Sequence, residues 1–268
     1  MMQQEGQRDG SHVQTKANKS IHSFVFASWF VKMFGQESLR TGLVLDVGGG
    51  KGDFSFEMCV RFGIASTLID CRDRVVKLSS MQRRRMKRIC KSRASKTSDM
   101  EAVQESAYID HSDDRDPLMQ WLRSKADLSV DDDLVMLERV QASLVDNKLL
   151  PFDYRHMSFP IHFCGKPPCD SGLLELISGA SAIVGIHADQ ITESIIDHAL
   201  LFDKPFAVIP CCLFSCLFPP RYLKGGSIVV SSYEDFIQYL LEKDRTICKT
   251  VLPFEGRNIV LYRVPVRC

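Results

Sequence analysis

The sequence has almost no net charge of either sign: its 34 lysines and arginines stand against 33 aspartates and glutamates, a formal net charge of +1. This balance excludes a uniformly basic nucleic-acid binder, although local charged patches stay open. The chain also lacks an apolar run near the roughly 20 residues of a membrane span, since its best candidate, 24–34, is short and contains Lys32. The first twenty residues are polar and lack the apolar core of a secretory signal. We therefore predict an intracellular protein, cytoplasmic or nuclear, without membrane contact, and a mitochondrial location stays open.

The ten cysteines lack the paired C-x2-C spacing that is typical of structural zinc sites. Without a secretory signal they are expected to be reduced thiols. We therefore predict no bound metal. A zinc site built from the densest group of cysteines stays as an alternative, and its candidate ligands are Cys211, Cys212 and Cys216, with Cys164 and Cys169 upstream.

Helical and strand patterns alternate along the chain, whose 268 residues are 45% hydrophobic and 25% charged, as in globular proteins. The first helix follows from the spacing of Phe26, Trp29, Phe30, Met33 and Phe34. Short apolar runs predict strands at 42–47, 64–70, 161–164, 182–186 and 206–209. Further helices are predicted at 53–62, 172–178, 192–202 and 231–241, the last with a capping box formed by Ser231 and Glu234. A hairpin is predicted from 247–254 and 258–264. This alternation indicates an α/β fold with a mainly parallel sheet, helices on both faces and an antiparallel edge strand.

Two blocks of opposite charge interrupt the alternation. Residues 72–96 contain eleven Lys or Arg and one acid, whereas residues 99–138 contain twelve acids and three bases. One interpretation is a solvated, partly helical insertion at about 72–150 whose halves neutralise each other. The other makes the basic block a phosphate-contacting arm. Residues 1–20 are predicted to be a polar, disordered tail.

A glycine-rich segment follows the first predicted strand and includes Gly48, Gly49, Gly50 and Gly52. A Walker loop requires Ser or Thr after Gly-Lys, but Gly52 follows the lysine here. The dinucleotide fingerprint GxGxxG requires Gly or Ala where this chain has Asp53. Glycines allow a sharp turn and a close approach of the backbone to a ligand. A tight turn with no ligand is the alternative.

An acidic residue ends each of the first two predicted strands. Asp46 precedes the glycines, and Asp70 follows 24 residues later. A carboxylate at the end of the second strand can accept hydrogen bonds from both ribose hydroxyls of a nucleoside. Because NAD sites also carry an acid at this spacing, Asp70 alone does not identify the ligand.

Several segments together resemble a known enzyme class. The pattern Asp46-x-Gly48-x-Gly50-x-Gly52 resembles the first motif of class I S-adenosylmethionine-dependent methyltransferases. Residues 22–29, 185–193, 204–212 and 252–258 are similar to a poorly characterised eukaryotic methyltransferase-domain family. That family is similar to the group that holds tRNA ribose methyltransferases and the methyltransferase domain of glutathione-transferase C-terminal-domain proteins. The likeness covers residues 21–80 and 180–264 and leaves most of the charged insertion outside.

The resemblance implies a fold, a cofactor and a reaction. The fold is a three-layer Rossmann-like methyltransferase fold over residues 21–268, with a mainly parallel seven-stranded sheet and an antiparallel C-terminal hairpin strand. The cofactor is S-adenosyl-L-methionine. Its implied binding residues are Asp46, Gly48, Gly49, Gly50, Gly52 and Asp70.

Four further residues are candidates for the chemistry at the ligand edge of the sheet. His187 and Asp189 follow the fourth parallel strand, where the imidazole would serve as a base that Asp189 orients. Alternatively, His187 bonds backbone or caps the next helix, and Asp189 is a helix cap. Cys211 and Cys212 end the fifth strand, where their expected roles are covalent catalysis, lining of the substrate site, or packing.

The expected function is methyl transfer to RNA, with tRNA as one acceptor. RNA would be contacted by the basic block through Arg83, Arg84, Arg85, Lys87 and Arg88. Methylation of a protein or small molecule is the first alternative. A non-catalytic factor that binds RNA or protein on a methyltransferase fold is the second. No DNA partner is expected, and the sequence does not predict the oligomeric state.

Overall fold

A seven-stranded sheet runs through the middle of the computed structural model, which describes residues 16–73, 75–96, 134–146 and 148–264. Its strands are β1 (Leu43–Val47), β2 (Ser66–Asp70), β3 (Asp153–His156), β4 (Ala180–Ile186), β5 (Phe206–Ile209), β6 (Cys248–Val251) and β7 (Ile259–Arg263). Their order across the sheet is β3-β2-β1-β4-β5-β7-β6. The first five are parallel, and β7 is antiparallel to both of its neighbours. The predicted Rossmann-like fold with its antiparallel C-terminal hairpin is therefore confirmed.

Helices cover both faces of the sheet. They are α1 (Lys16–Phe34), α2 (Gln36–Arg40), α3 (Asp53–Phe62), α4 (Ser80–Lys96), α5 (Leu134–Val145), α6 (Ser171–Gly179), α7 (Thr192–Leu201) and α8 (Tyr233–Leu241). Because successive strand residues point to opposite faces, Val44 packs with α1, α2 and α3, whereas Leu45 and Val47 pack with α6, α7 and α8. Among the described residues, no helix combines the length and apolar character that crossing a membrane requires.

The first helix follows the predicted aromatic spacing. Phe26 and Phe30 are fully buried, and both rings meet the ring of Phe54 on α3 at centroid distances of 5.5 and 5.8 Å. Next along the chain, α3 occupies the predicted 53–62, and Gly63 ends it in the left-handed conformation. The glycine segment leads into α3, and α3 packs with α1 on the same face of the sheet.

The prediction of a strand at 161–164 is wrong. Residues 161–164 form a loop, and the strand that pairs with β2 is β3. Asp153, Arg155 and His156 of β3 are exposed. A solvent-exposed edge strand needs no apolar run, so β3 lacks the apolar pattern that predicts a buried strand.

The capping box before α8 lies one residue later than predicted. The Ser232 side chain accepts a hydrogen bond from the Asp235 N–H at 3.0 Å, and the Asp235 carboxylate accepts one from the Ser232 N–H at 3.0 Å. Two Ser-x-x-acid pairs overlap here, and Ser231–Glu234 is the wrong one. The helix therefore begins at Tyr233.

The described part of the expected charged insertion belongs to the connection between β2 and β3. Met86 of α4 and Val140 of α5 pack in one cluster with Phe56 of α3 and with Phe152. These two helices therefore form part of the crossover rather than a separate appendage. Most of the acidic block lies outside the described residues, so its contact with the basic block stays a prediction.

Candidate active site at the carboxyl ends of the strands

The glycine segment turns sharply between β1 and α3. Gly48, Gly50 and Gly52 have φ of 70°, 66° and 74°, a left-handed backbone that side chains disfavour. At Gly52 a Cβ would lie 2.5 Å from Cζ of Phe152, and at Gly49 it would collide with the Asp46 carboxylate. The protein's own packing therefore already requires glycine at 49 and 52. These two glycines alone are no evidence for a ligand.

Asp46 lies beneath this turn and is fully buried. Its Oδ2 accepts a hydrogen bond from Ser55 Oγ at 2.8 Å, and its Oδ1 has no hydrogen-bond partner among the described residues. Burial raises the pKa of Asp46 to about 7. Asp46 thus supports the loop from below, and any contact with a ligand would be indirect.

Asp70 meets the glycine segment from the neighbouring strand. The Gly50 N–H donates to Asp70 Oδ2 at 3.0 Å. Arg72 folds back onto the same carboxylate: its Nε lies 2.8 Å from Oδ1, its Nη2 lies 2.6 Å from Oδ2, and its backbone N–H lies 2.9 Å from Oδ1. The hydrogen bond with Asp70 raises the pKa of Arg72. Ribose hydroxyls approaching Asp70 would therefore have to displace or share the guanidinium.

His187 and Asp189 lie just beyond β4, as predicted. Both have a left-handed backbone, with φ of 51° and 52°, which is rare for residues with a side chain. The His187 N–H donates to the Ile209 carbonyl at 3.1 Å, which ties the end of β4 to the end of β5. Ala188, between them, is buried and borders Gly48. The segment after β4 therefore packs directly against the glycine turn.

Cys211 lies against Asp189, so a thiol that follows the neighbouring strand contacts the carboxylate that was predicted to orient His187. The Cys211 thiol donates to Asp189 Oδ1 at 3.1 Å. Burial, and secondly this hydrogen bond, raises the pKa of Cys211 well above its usual range. A thiol that keeps its proton is a weak nucleophile, so this arrangement disfavours the covalent role that was one of the alternatives for Cys211.

Cys212 completes a compact group with these two residues. One ligand-type atom each from Asp189, Cys211 and Cys212 lies within 4.8 Å of the others. Asp189 and Cys212 are exposed, and Cys211 is half-buried. Cys164, Cys169 and Cys216, the other candidates from the sequence, are exposed and lie outside this group.

Three residues near the site were missed from the sequence. Tyr233 donates its hydroxyl to the Pro210 carbonyl at 3.2 Å, and the Arg257 guanidinium lies 3.7 Å over its ring. These residues come from α8 and from the hairpin turn, so no local spacing connects them. Arg72 did have a signal, because a cation two residues after a strand-end acid can fold back onto it.

Electrostatics connects the two halves of the strand edge. After the hydrogen bond and charge of Asp70, the charge of Asp189 also favours the protonated form of Arg72 and so helps to raise its pKa. Asp189 is the smallest of the contributions to this pKa, so the carboxylate that follows β4 acts only weakly on the Asp70–Arg72 pair. The described residues also line two cavities. The one of about 310 Å³ begins at Lys51 and is bordered by 75–77 and Gln82.

The other cavity, of about 470 Å³, lies between the loops 161–163 and 218–222. Glu193, Asp197 and Tyr239 line it, and Glu193 pairs with Arg221 at 2.7 Å. No predicted site residue borders either of these two cavities.

The basic block forms a helix whose two faces differ. Arg84, Lys87, Arg88 and Lys91 are exposed at helical spacing and form a stripe, which we call the basic stripe. Arg85 is turned inward, where it pairs with the buried Glu57. Arg85 is thus part of the fold, whereas Arg84, Lys87 and Arg88, which are also predicted RNA contacts, lie in the basic stripe.

Comparison with known proteins adds little beyond this description. No protein-family model matches the chain, and no curated protein matches it significantly. Among solved structures, it is similar to the magnesium protoporphyrin IX methyltransferase of Synechocystis PCC 6803, solved with bound SAH. The identity is 11%, the TM-score is 0.40, and the match covers 97% of this chain and 87% of that one. A likeness this distant identifies neither the activity nor the substrate of this chain.

Proposed function

We propose that this protein is a methyltransferase that uses S-adenosyl-L-methionine. The observation that carries the proposal is the 3.0 Å hydrogen bond from the Gly50 N–H to Asp70. It joins the glycine turn after β1 to the carboxylate that ends β2, at the sheet edge where open α/β folds bind their ligands. The motif built on Asp46 and the glycines resembles the corresponding motif of class I methyltransferases.

The residues at this edge fit the proposed cofactor. Asp70 offers carboxylate oxygens to a ribose, and the glycine turn offers backbone close to the methionyl part. When bound, the cofactor supplies a methyl group on a positively charged sulfur. The chain's own contribution is to hold and orient: Asp46 supports the turn from below, and Arg72 covers Asp70 until a ligand replaces it.

His187, Asp189 and the two cysteines form the proposed acceptor side. His187 would take the proton of an acceptor hydroxyl or ring nitrogen, since an imidazole titrates near neutral pH. The Asp189 carboxylate accepts a hydrogen bond from the Cys211 thiol at 3.1 Å, and this bond fixes its position next to Cys211. Cys212 is exposed and would border the acceptor.

RNA is the proposed acceptor, with tRNA as one candidate. The support is the family resemblance together with the basic stripe on α4, whose four cations suit a phosphate backbone. Methylation of a protein or a small molecule is the alternative within enzymes. Binding of RNA or protein without catalysis is the alternative outside them, and the basic stripe is compatible with it.

Cofactor binding is tested by calorimetry with S-adenosylmethionine and with S-adenosylhomocysteine. Asp70→Asn should weaken binding about 10- to 100-fold, because hydrogen bonds to a charged acceptor are lost. Asp73→Asn is the matched control, since Asp73 is exposed three residues further on. If the wild type binds neither ligand at millimolar concentration, the proposal that S-adenosylmethionine is the cofactor is refuted.

Acceptor class is tested by incubating the protein with tritiated-methyl cofactor and, separately, total cellular RNA, protein and small-molecule extracts. Label in RNA that disappears in His187→Ala and Asp189→Ala supports the proposal. Label in protein or in small molecules would instead support methylation of a protein or a small molecule. RNA binding without label in any fraction favours the non-catalytic factor.

The basic stripe is tested by RNA binding at increasing salt. Replacing Arg84, Lys87, Arg88 and Lys91 by serine should weaken binding and flatten its salt dependence, because fewer counterions are released. The serine variant of Arg155 is the control, since Arg155 is exposed on β3 and outside the stripe. An unchanged salt slope would remove the stripe from the RNA interface.

A further inference from the structure

Two strand ends bring together three side chains of a kind that binds transition metals. Asp189 follows β4, and Cys211 and Cys212 follow β5, its parallel neighbour. Along the chain the cysteines are about twenty residues away from the carboxylate, so no short metal-binding motif contains all three. In the fold their ligand atoms lie within 4.8 Å of one another.

These separations are close to what one metal ion requires. Zinc binds thiolate sulfur at about 2.3 Å and carboxylate oxygen at about 2.0–2.2 Å, so two ligands of one ion lie at most about 4.6 Å apart and closer in a tetrahedron. The 3.1 Å between Cys211 Sγ and Asp189 Oδ1 is within that range. The remaining distances, which involve Cys212, would close by rotation of the exposed side chains of Cys212 and Asp189.

We propose that Asp189, Cys211 and Cys212 bind one Zn²⁺ with a fourth position left open. Two soft thiolates select zinc over magnesium or calcium, and the carboxylate completes three protein ligands. Each thiol releases its proton to solvent when its sulfur binds the ion. Three protein ligands plus one exchangeable position is the pattern of catalytic rather than structural zinc.

The open position has a chemical consequence, and this consequence alone rests on the proposed function. Asp189 and Cys212 are exposed, so water or an acceptor oxygen can reach the ion. A Lewis acid there would lower the pKa of an acceptor hydroxyl beside His187. The binding of the metal does not depend on methyl transfer.

The test is a titration of the full-length, reduced protein with Co²⁺ and without any methyl donor. We expect one Co²⁺ per chain, a near-ultraviolet thiolate-to-cobalt charge-transfer band, and displacement of Co²⁺ by Zn²⁺. Cys212→Ser should lose most of this band, and because Cys212 is exposed it should leave the fold intact, as circular dichroism will show. Asp189→Asn should weaken Co²⁺ binding by at least about 10-fold, the loss that even a supporting contact causes at metal sites.

The controls are Cys164→Ser and Cys248→Ser, which remove exposed thiols outside the group. Both should bind Co²⁺ as the wild type does. A wild type without the charge-transfer band would overturn the proposal. A band that survives in the Cys211→Ser, Cys212→Ser double variant would overturn it as well, because the metal would then belong to other cysteines. Since no cofactor is present, failure of S-adenosylmethionine binding would leave these results untouched.

Discussion

The ends of β1 and β2 and the ends of β4 and β5 are built in different ways. At β1 and β2 the backbone turns on glycines, and the nearby carboxylates of Asp46 and Asp70 are almost entirely buried. In the second region the left-handed positions that follow β4 are occupied by His187 and Asp189 instead. In the first region glycines take the place of residues with side chains, so the backbone can approach neighbouring groups closely. The second keeps side chains at positions where the backbone is strained.

This difference indicates different roles. Glycine at 49 and 52 is required by Asp46 and Phe152, so the first turn is part of the core. Non-glycine residues with a left-handed backbone cost about 1–3 kcal/mol each and persist where the surroundings enforce them, often at functional sites. We therefore expect substitutions of these glycines to act mainly on stability, and substitutions of His187 and Asp189 to act mainly on chemistry.

The largest expected effect tests how firmly the glycine turn belongs to the core. Gly52→Ala should lower the free energy of unfolding by about 2–4 kcal/mol, through overpacking against Phe152 and left-handed strain. Gly165→Ala is the matched control, because Gly165 has the same φ of +74° and nothing around it. It should lose only about 1–2 kcal/mol in denaturant unfolding. Equal losses in the two variants would contradict the clash with Phe152.

The next effect concerns the pH dependence of stability from Asp46. Below its usual pKa of 3.8, both the folded and the unfolded state hold the proton. Between there and the folded pKa of about 7, the folded state binds more protons, so stability falls as pH rises and levels off above the folded pKa. From about pH 5 to pH 7 the wild type should lose roughly 2–3 kcal/mol relative to Asp46→Asn.

Denaturant unfolding of both proteins at each pH measures this difference. Asp73→Asn is the control, since its exposed carboxylate should leave the wild-type pH profile unchanged. If the free energies of unfolding of the wild type and Asp46→Asn change in parallel with pH, the Asp46 carboxyl does not cause the pH dependence.

A smaller effect is expected at Arg72, which follows β2 and pairs with Asp70. Arg72→Ala should tighten the binding of S-adenosylhomocysteine about 2- to 5-fold, because it removes a partly exposed ion pair worth at most about 1 kcal/mol. Calorimetry measures the change. Arg155→Ala removes an exposed positive charge from the neighbouring β3 without touching Asp70 and should have no effect. Weaker binding by Arg72→Ala would mean that Arg72 contacts the ligand itself.

The smallest effect is expected after β4. In His187→Gly the relief of left-handed strain and the higher entropy of the unfolded chain oppose each other, so stability should change by less than about 1 kcal/mol. The same variant should lose methyl transfer in the tritium assay. A stability loss as large as that of Gly52→Ala would make His187 part of the core and remove the contrast between the regions.

Local patterns predicted the elements that depend on local physics. The helix at 53–62 was predicted to the residue, because its apolar face and the following Gly63 lie close together along the chain. The glycine turn and the strand-end position of Asp70 were predicted for the same reason. The edge strand β3 was missed, since its partner β2 and not its own side chains makes it a strand.

Contacts between distant segments escaped prediction. Arg85 was grouped with surface cations until the fold placed it on the buried Glu57 of α3. Asp189 was predicted to orient His187, two residues earlier in the chain. Its carboxylate instead accepts a hydrogen bond from the thiol of Cys211, which follows the next strand. Periodicity reports which side of an element is apolar, but it does not report which element packs there.

Sequence patterns therefore sufficed for the α/β alternation and the glycine turn, because each depends on neighbours within about one helical turn or strand. The near-neutral sum of two opposed charge blocks follows from composition alone. The packing of the sheet determined the rest: the edge strand, the inward arginine, and the meeting of Asp189 with Cys211 and Cys212. Parallel neighbours bring their carboxyl ends to one edge, so residues from different connections meet there without any signal in their spacing. That is why the sequence indicated no metal and the fold assembles a candidate ligand set for one.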